Sequence, residues 1–388
     1  MRPESLRPLR FAFGGMIAMA VAMGFGRFVY TPILPGMMDE LGLSAADAGL
    51  IASANYVGYL IGAVGAAGGW AQERERSVML VGLGATAVLA ASMGLTDSLA
   101  LFLAIRFLAG IASAFVLVFV STIVFSHLAL AGRNDLQALH FGGVGTGIAI
   151  SSAMMAVLIG AHAAWPDGWL GSAVLSALGF LAVWFLIDEG PLVTGTARRE
   201  SKLPKSLPLA KIIVAYGIFG FGYVVTATFL VAIVRQSEAG RIFEAVVWLV
   251  TGLAAIPSIW LWNKVSVRHG LTVALAIGCV VEAVGVIASV SIGGYFGPLL
   301  AGFLLGGTFI AITAIGLQAG RLLAPEAPRR VLALMTAAFG VGQIIGPIFA
   351  GFAAEWSGSF TVPSIGAALA LLLCGAIAWS AGPTPKLP

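Results

Sequence analysis

Three ionisable side chains stand deep inside apolar stretches of this 388-residue chain: Arg27, Arg106 and Glu282. A guanidinium is a planar fork of donors that grips a carboxylate or phosphate through two parallel hydrogen bonds. A carboxyl shielded from water can hold a proton and hand it on. His140, at the head of another apolar stretch, adds an imidazole. Uncharged polar residues share the same stretches, namely Tyr30, Asn55, Tyr56, Tyr59, Tyr223, Thr226, Thr228, Thr308, Thr313, Gln318 and Gln343. Such groups orient a small molecule in a mostly apolar pocket. They equally serve as hydrogen-bonding glue between helices. The chemistry on offer is capture of a small anion and movement of a proton.

Other chemistries lack their motifs. No Gly-x-x-x-x-Gly-Lys-Ser/Thr is present to cradle a nucleotide, and Gly143-Val144-Gly145 opens no strand-turn-helix unit. There is no His-Glu-x-x-His and no Cys/His ligand cluster, so no metal or cofactor is expected. No segment between the apolar stretches is long enough for a catalytic domain, which argues against an enzyme or a sensor.

The elements that position these residues follow from composition. Hydrophobic residues make up 59% and charged residues 10%, against roughly 25% charged in a soluble domain. Mean hydropathy is +1.00. Lipid must be the main solvent. A membrane-spanning helix needs about 20 apolar residues, and twelve stretches qualify: 11–35, 46–68, 77–95, 99–126, 138–161, 168–187, 209–234, 243–262, 271–291, 295–322, 330–353 and 361–381. They are apolar on every face, which excludes the alternating strands of a β-barrel. The first is too long for a signal-peptide core and has no small-residue cleavage pattern before Arg27. Cys279 and Cys374 lie inside spans and read as apolar filler rather than a disulfide.

The stretches repeat. Gly24-Phe25-Gly26 returns as Gly220-Phe221-Gly222, and Arg106–Gly110 aligns with Gly302–Gly306, both 196 residues on. Gly143-Val144-Gly145 returns as Gly340-Val341-Gly342, 197 residues on. The expected architecture is all-α: two six-helix bundles, 1–190 and 209–388, related by a pseudo-two-fold and joined by the basic linker 191–208. Duplicated multi-span halves enclose the substrate site of many secondary transporters. Lys and Arg mark the cytoplasmic side. With alternating connectors, 17 of the 21 fall on the side of the N-terminus, two (Arg235 and Arg241) on the other, and Arg27 and Arg106 within spans. Both termini are therefore expected in the cytoplasm. The net charge of +4 reports this topology and gives no reason to invoke nucleic acid.

At 1.5 Å per residue, Arg27 lies about 12 Å below Pro35, the expected outer end of its span, and Arg106 about 10 Å below Leu99. Two cations at one level need anions, carbonyls or water. Each either binds a substrate anion or braces a neighbouring helix through its carbonyls. Adding 196 takes Arg27 to Tyr223 and Arg106 to Gly302, so the second half lacks matching charges. Glu282 lies about 18 Å into its span. It and His140 are the candidates for proton coupling. Asn55 and Tyr59 share a helix face. Glycines four apart, Gly58/Gly62, Gly65/Gly69, Gly143/Gly147 and Gly342/Gly346, let backbones approach closely, and Pro347 is a potential kink.

Gly26-Arg27-Phe28-Val29-Tyr30-Thr31-Pro32-Ile33-Leu34-Pro35, Ala54–Gly62, Gly306–Thr313 and Phe339–Pro347 resemble the bacterial YbfB/YjiJ branch of the major facilitator superfamily. The resemblance covers the whole chain. It implies that spans one and four line a central cavity and that span nine is peripheral. The chain departs from the superfamily in its loops. Val267 stands where an Asp is usual after span eight, and Gly69–Arg76 hardly matches the corresponding loop after span two, where Glu73 or Glu75 could replace the missing acid. Span five lacks the Gly-Pro pair of antiporters, which leans against drug/proton antiport.

These residues support a monomeric secondary transporter in the bacterial inner membrane. Its cargo would be a small organic anion and its coupling ion a proton. The substrate site is expected at Arg27, Arg106, Tyr30, Asn55, Tyr59, Tyr223, Thr226, Thr308 and Gln343. An exporter of amphipathic compounds is the alternative.

Overall fold

A computed structural model describes residues 7–68, 70–190, 201–236 and 239–384. Gly69 lies outside those residues, as do Arg2, Arg198, Arg199 and Lys386, four of the 17 cations on the side of the N-terminus, and the first part of the expected linker, 191–200.

Among the described residues every regular element is helical. Eleven helices are long and apolar enough to cross a membrane, and a bent pair makes a twelfth span. In chain order they are α1 (Pro8–Leu41), α2 (Ala45–Ala66), α3 (Glu75–Met93), α4 (Leu99–Leu130), α5 (Asn134–Gly160), α6 (Trp165–Leu186), α7 (Leu207–Arg235), α8 (Arg241–Ala255 and Ser258–His269), α9 (Leu271–Ser291), α10 (Phe296–Leu323), α11 (Pro328–Ser357) and α12 (Thr361–Ser380).

Two spans differ from expectation. α1 does not stop at Pro35 but runs on to Leu41, where Gly42 ends it at φ +66°. Ser44 then opens α2 with a reciprocal cap: its hydroxyl accepts from the Asp47 N–H, and the Asp47 carboxylate accepts from the Ser44 N–H. α8 is longer than the stretch 243–262 and bends by 47° between Ala255 and Ser258. Pro257 sits at the break, where its ring and missing N–H interrupt the helical ladder. α11, by contrast, is helical without a break through Pro347.

The packing reproduces the sequence repeat. In the first six helices α1 packs on α4, α5 and α6, α2 on α4, and α3 on α4 and α6. Adding six to every label gives the packing of the second six, where α7 meets α10, α11 and α12, α8 meets α10, and α9 meets α10 and α12. Between the two sets, the principal contacts are α1 with α7, α2 with α11 and α5 with α8. A two-fold rotation maps the first of these onto itself and exchanges the other two.

Close approaches recur as well. A Cβ on Gly110 would strike the carbonyl oxygen of Asn55, and a Cβ on Gly306 that of Thr251, and both residues of the second pair stand 196 positions after those of the first. Cys279 and Cys374 are free, with sulfurs 3.3 Å apart between α9 and α12.

Candidate functional site

Local chemistry makes the middle of α1 unusual. Residues Ala20–Phe28 form a π-helical stretch between two α-helical arms. Pro32 offers no N–H to the Phe28 carbonyl one turn upstream. Arg106 reaches across from α4 to the two carbonyls that precede that of Phe28. Its Nη1 donates to the Gly26 carbonyl at 2.9 Å and its Nη2 to the Arg27 carbonyl at 3.1 Å. The two arginines do share a level, because one holds the backbone of the other. Arg106 is thereby committed to bracing α1, and this part of its fork is not open to an anion. Its neighbours join the brace. Asn55 Nδ2 donates to the Arg106 carbonyl at 3.0 Å, and the Tyr30 hydroxyl donates to the Ala48 carbonyl at 2.9 Å.

Arg27 is differently placed. It is 4% exposed, and among the described residues no carboxylate pairs with it. Its guanidinium carbon lies 4.4 Å from the Tyr56 ring centre, 4.7 Å from Tyr59 and 5.4 Å from Phe28. Nε and Nη2 have no hydrogen-bond partner. A buried cation with two idle donors is costly, and cation–π contacts offset only part of that cost. Because α1 continues to Leu41, Arg27 is about 21 Å from its end, deeper than the sequence suggested.

Across the seam, the second set presents a wall of rings. Tyr223 on α7 stacks on Phe309 of α10 (5.9 Å, 10°) and on Phe339 of α11 (5.6 Å, 8°). Phe28 meets Phe309 edge-on at 5.5 Å, joining the two sets. Gln343 Nε2 donates to the Tyr223 hydroxyl and leaves its Oε1 unpartnered. Thr226 and Thr228 are buried with unpartnered hydroxyls. Of the expected site residues, Arg27, Tyr59, Tyr223 and Gln343 therefore cluster at the seam.

Thr308 faces elsewhere. Its hydroxyl lies 2.6 Å from the Leu304 carbonyl and 3.0 Å from Glu282 Oε2, between α10 and α9. Thr313 donates to the Phe309 carbonyl within its own helix. Glu282 is 1% exposed, and its Oε1 has no partner. His140 is fully buried in the other set, with Nε2 3.0 Å from the Ser121 hydroxyl and its ring against Phe125 and Phe141. The two proton-coupling candidates are not brought together. Glu73 and Glu75 form no ion pair among the described residues.

Tyr56 and Phe309 escaped the sequence reading as site residues. For Tyr56 the signal was present, since it and Tyr59 are i and i+3 and share a face. Phe309 carried none that separates it from other apolar residues of α10. A groove of about 480 Å³ between α7 and α11 is lined by residues such as Val214, Phe221, Leu334 and Ile345. None of Arg27, Tyr59, Tyr223 and Gln343 lines it.

A family profile described as "Uncharacterised MFS-type transporter YbfB" matches residues 19–379. The chain belongs to this branch of the major facilitator superfamily. It is a multi-pass membrane protein of a family of transporters, not enzymes. Among solved structures, this YbfB-type transporter is similar to a point mutant of the nucleoside transporter NupG, with a TM-score of 0.78, 15% identity, and coverage of 96% of this chain and 99% of that one. It is also similar to a bacterial homolog of the human lysosomal transporter Spinster in an inward-facing, occupied conformation, with a TM-score of 0.74, 13% identity, and coverage of 98% and 97%. At such identities the likeness is one of fold. No curated protein matches the YbfB-type chain.

Proposed function

We propose that this transporter moves a small organic anion across the bacterial inner membrane by alternating access, with Arg27 holding the anionic group. The observation that carries the reading is a guanidinium buried at the seam of two helix sets with Nε and Nη2 unengaged. Tyr59, Tyr223 and Gln343 border the same place, and Arg106, Asn55 and Tyr30 act by holding α1 in shape. The moving bodies are 1–190 and 209–388, linked by 191–208, in a monomer with both termini cytoplasmic. The 17-to-2 distribution of Lys and Arg supports that orientation.

Hydrogen bonds between the sets stand toward the side opposite the termini. Thr31 Oγ1 donates to the Ala227 carbonyl at 2.6 Å, Ser53 Oγ to the Ile344 carbonyl at 2.8 Å, and Arg235 pairs with Asp39. They support a state closed on the outer side. Protons are the proposed coupling ion, with Glu282, sealed between α9 and α10, the better placed carrier than His140.

The test is a thermal-stability panel on the purified full chain, using small carboxylates and phosphates, neutral analogues and organic cations at two pH values. Specific binders raise the melting temperature by mass action. Carboxylates or phosphates should stabilise the unaltered protein and fail to stabilise Arg27→Gln. Stabilisation confined to cations or neutral compounds would overturn the reading and favour the exporter of amphipathic compounds, for which the ring wall at Tyr223 and Phe309 is the supporting feature.

A further inference from the structure

Which anion the seam accepts follows from two surfaces that face each other there, and the inference rests on Arg27 being the anion anchor. We infer that the cargo is a planar aromatic carboxylate, its carboxylate on Arg27 and its ring against the wall formed by Tyr223, Phe309 and Phe339.

The donors left idle on Arg27 are Nε and Nη2. These two share one edge of the guanidinium and point in parallel, which is the arrangement that receives both oxygens of a single carboxylate. A carboxylate conjugated to a ring is coplanar with it, so a fork that fixes the oxygens also fixes the plane of the ring. The wall opposite is built for a plane. Phe309 and Phe339 each lie within 10° of parallel to Tyr223, and Phe219 continues the stack 5.3 Å from Tyr223 at 21°. These rings come from α7, α10 and α11, so their alignment is not the periodicity of one helix. Phe28, next to Arg27 in sequence, already touches this wall edge-on. When the two sets part, that edge contact is the one a ligand ring would replace, between the anchor on α1 and the stack on the second set. A saturated acid can use the fork but gains nothing specific from the rings. Aromatic contacts add to binding beyond area burial by an amount that corresponds to about three- to tenfold in affinity.

The experiment is titration of the purified full chain with benzoate, 4-hydroxybenzoate and indole-3-carboxylate, alongside cyclohexanecarboxylate, hexanoate and benzamide. The aromatic acids should bind about three- to tenfold tighter than the saturated acids of like size, and benzamide should not bind. Phe309→Leu keeps an apolar side chain at the seam and should erase the preference, bringing the aromatic acids down to the affinity of cyclohexanecarboxylate. Equal affinity for aromatic and saturated acids overturns the aromatic preference and leaves the anion anchor standing. Binding of benzamide as tight as benzoate, or no binding by any acid, overturns both. If Phe309→Leu fails to fold, the ligand series on the unaltered protein decides the matter alone.

Discussion

Arg235 at the end of α7 pairs with Asp39 near the end of α1, and the two are 196 residues apart, the interval of the sequence repeat. Each is the other's counterpart in the duplicated chain. Counterparts can touch only where they lie on the axis that relates the halves. Thr31 and Ala227, also 196 apart, are joined by a hydrogen bond. Arg27 and Tyr223 are a third such pair, and both belong to the seam cluster. Positions 27 and 31 are about one turn apart on α1, as 223 and 227 are on α7. The pseudo-two-fold axis therefore runs between these helices, through the proposed site and out through an ion pair.

Among the described residues the ion pair lies nearer the helix ends than the Thr31 and Ser53 bonds between the sets, so neutralising it should loosen that side. Asp39 is half exposed, with 48% of its side chain accessible, and Arg235 22%. Partly solvated pairs contribute about 1 kcal/mol or less. Asp39→Asn should therefore raise the labelling rate of Ala227→Cys by an impermeant maleimide by about two- to fivefold. An unchanged rate would show that this pair does not restrain opening.

Removing Arg235 should cost more than removing Asp39. Arg235 also holds Glu244 through both carboxylate oxygens, and the Glu244 side chain is only 4% exposed. Arg235→Gln strands that carboxylate, at a cost of about 3 kcal/mol. Its melting temperature should fall well below that of Asp39→Asn, and adding Glu244→Gln should recover a good part of the loss. Equal melting temperatures for the two single variants would contradict this account.

The bundle architecture was legible in the residues because duplication and hydropathy are read along the chain. Which way a side chain points was not. In a soluble helix the polar face announces the outside, but these helices are apolar all round, so periodicity does not reveal which face turns toward the axis. Thr308 was accordingly placed at the site although it turns to Glu282, and Phe309, its neighbour, was overlooked. The bracing role of Arg106 was visible only as one of two options. What decides it is the carbonyl pair at Gly26 and Arg27, both of which accept from its guanidinium. The repeat interval itself carried unused information, since it pairs Arg27 with Tyr223.

The two intramembrane arginines should respond to mutation with opposite signs. Arg106 fills two carbonyls, and Arg106→Gln leaves them without their charged donor, for a loss of about 2–3 kcal/mol. Arg27 has a buried charge with idle donors, and replacing such a group by an apolar one of similar length is neutral or stabilising by about 1–2 kcal/mol. Without ligand, Arg27→Met should melt at or above the temperature of the unaltered protein and Arg106→Gln below it. A drop in Arg27→Met as large as that in Arg106→Gln would mean that Arg27 is structural too.

Glu282 and Thr308 allow coupling to be separated from folding. The Thr308 hydroxyl has one proton, and it lies within reach of both the Leu304 carbonyl and Glu282 Oε2. If that proton goes to Leu304, the contact with Glu282 is satisfied only when the carboxyl brings a proton of its own. Glu282→Gln reproduces such a donor permanently, so it should cost less stability than removing the hydroxyl partner. Thr308→Val removes the partner altogether and should cost about 1–3 kcal/mol. In proteoliposomes, with the acid identified by the stability panel, Glu282→Gln should still exchange labelled for unlabelled substrate at equal pH. It should lose accumulation driven by an imposed pH gradient, because a side chain that cannot release its proton cannot carry one. Gradient-driven accumulation at the unaltered rate would remove Glu282 from coupling and leave it a structural partner of Thr308.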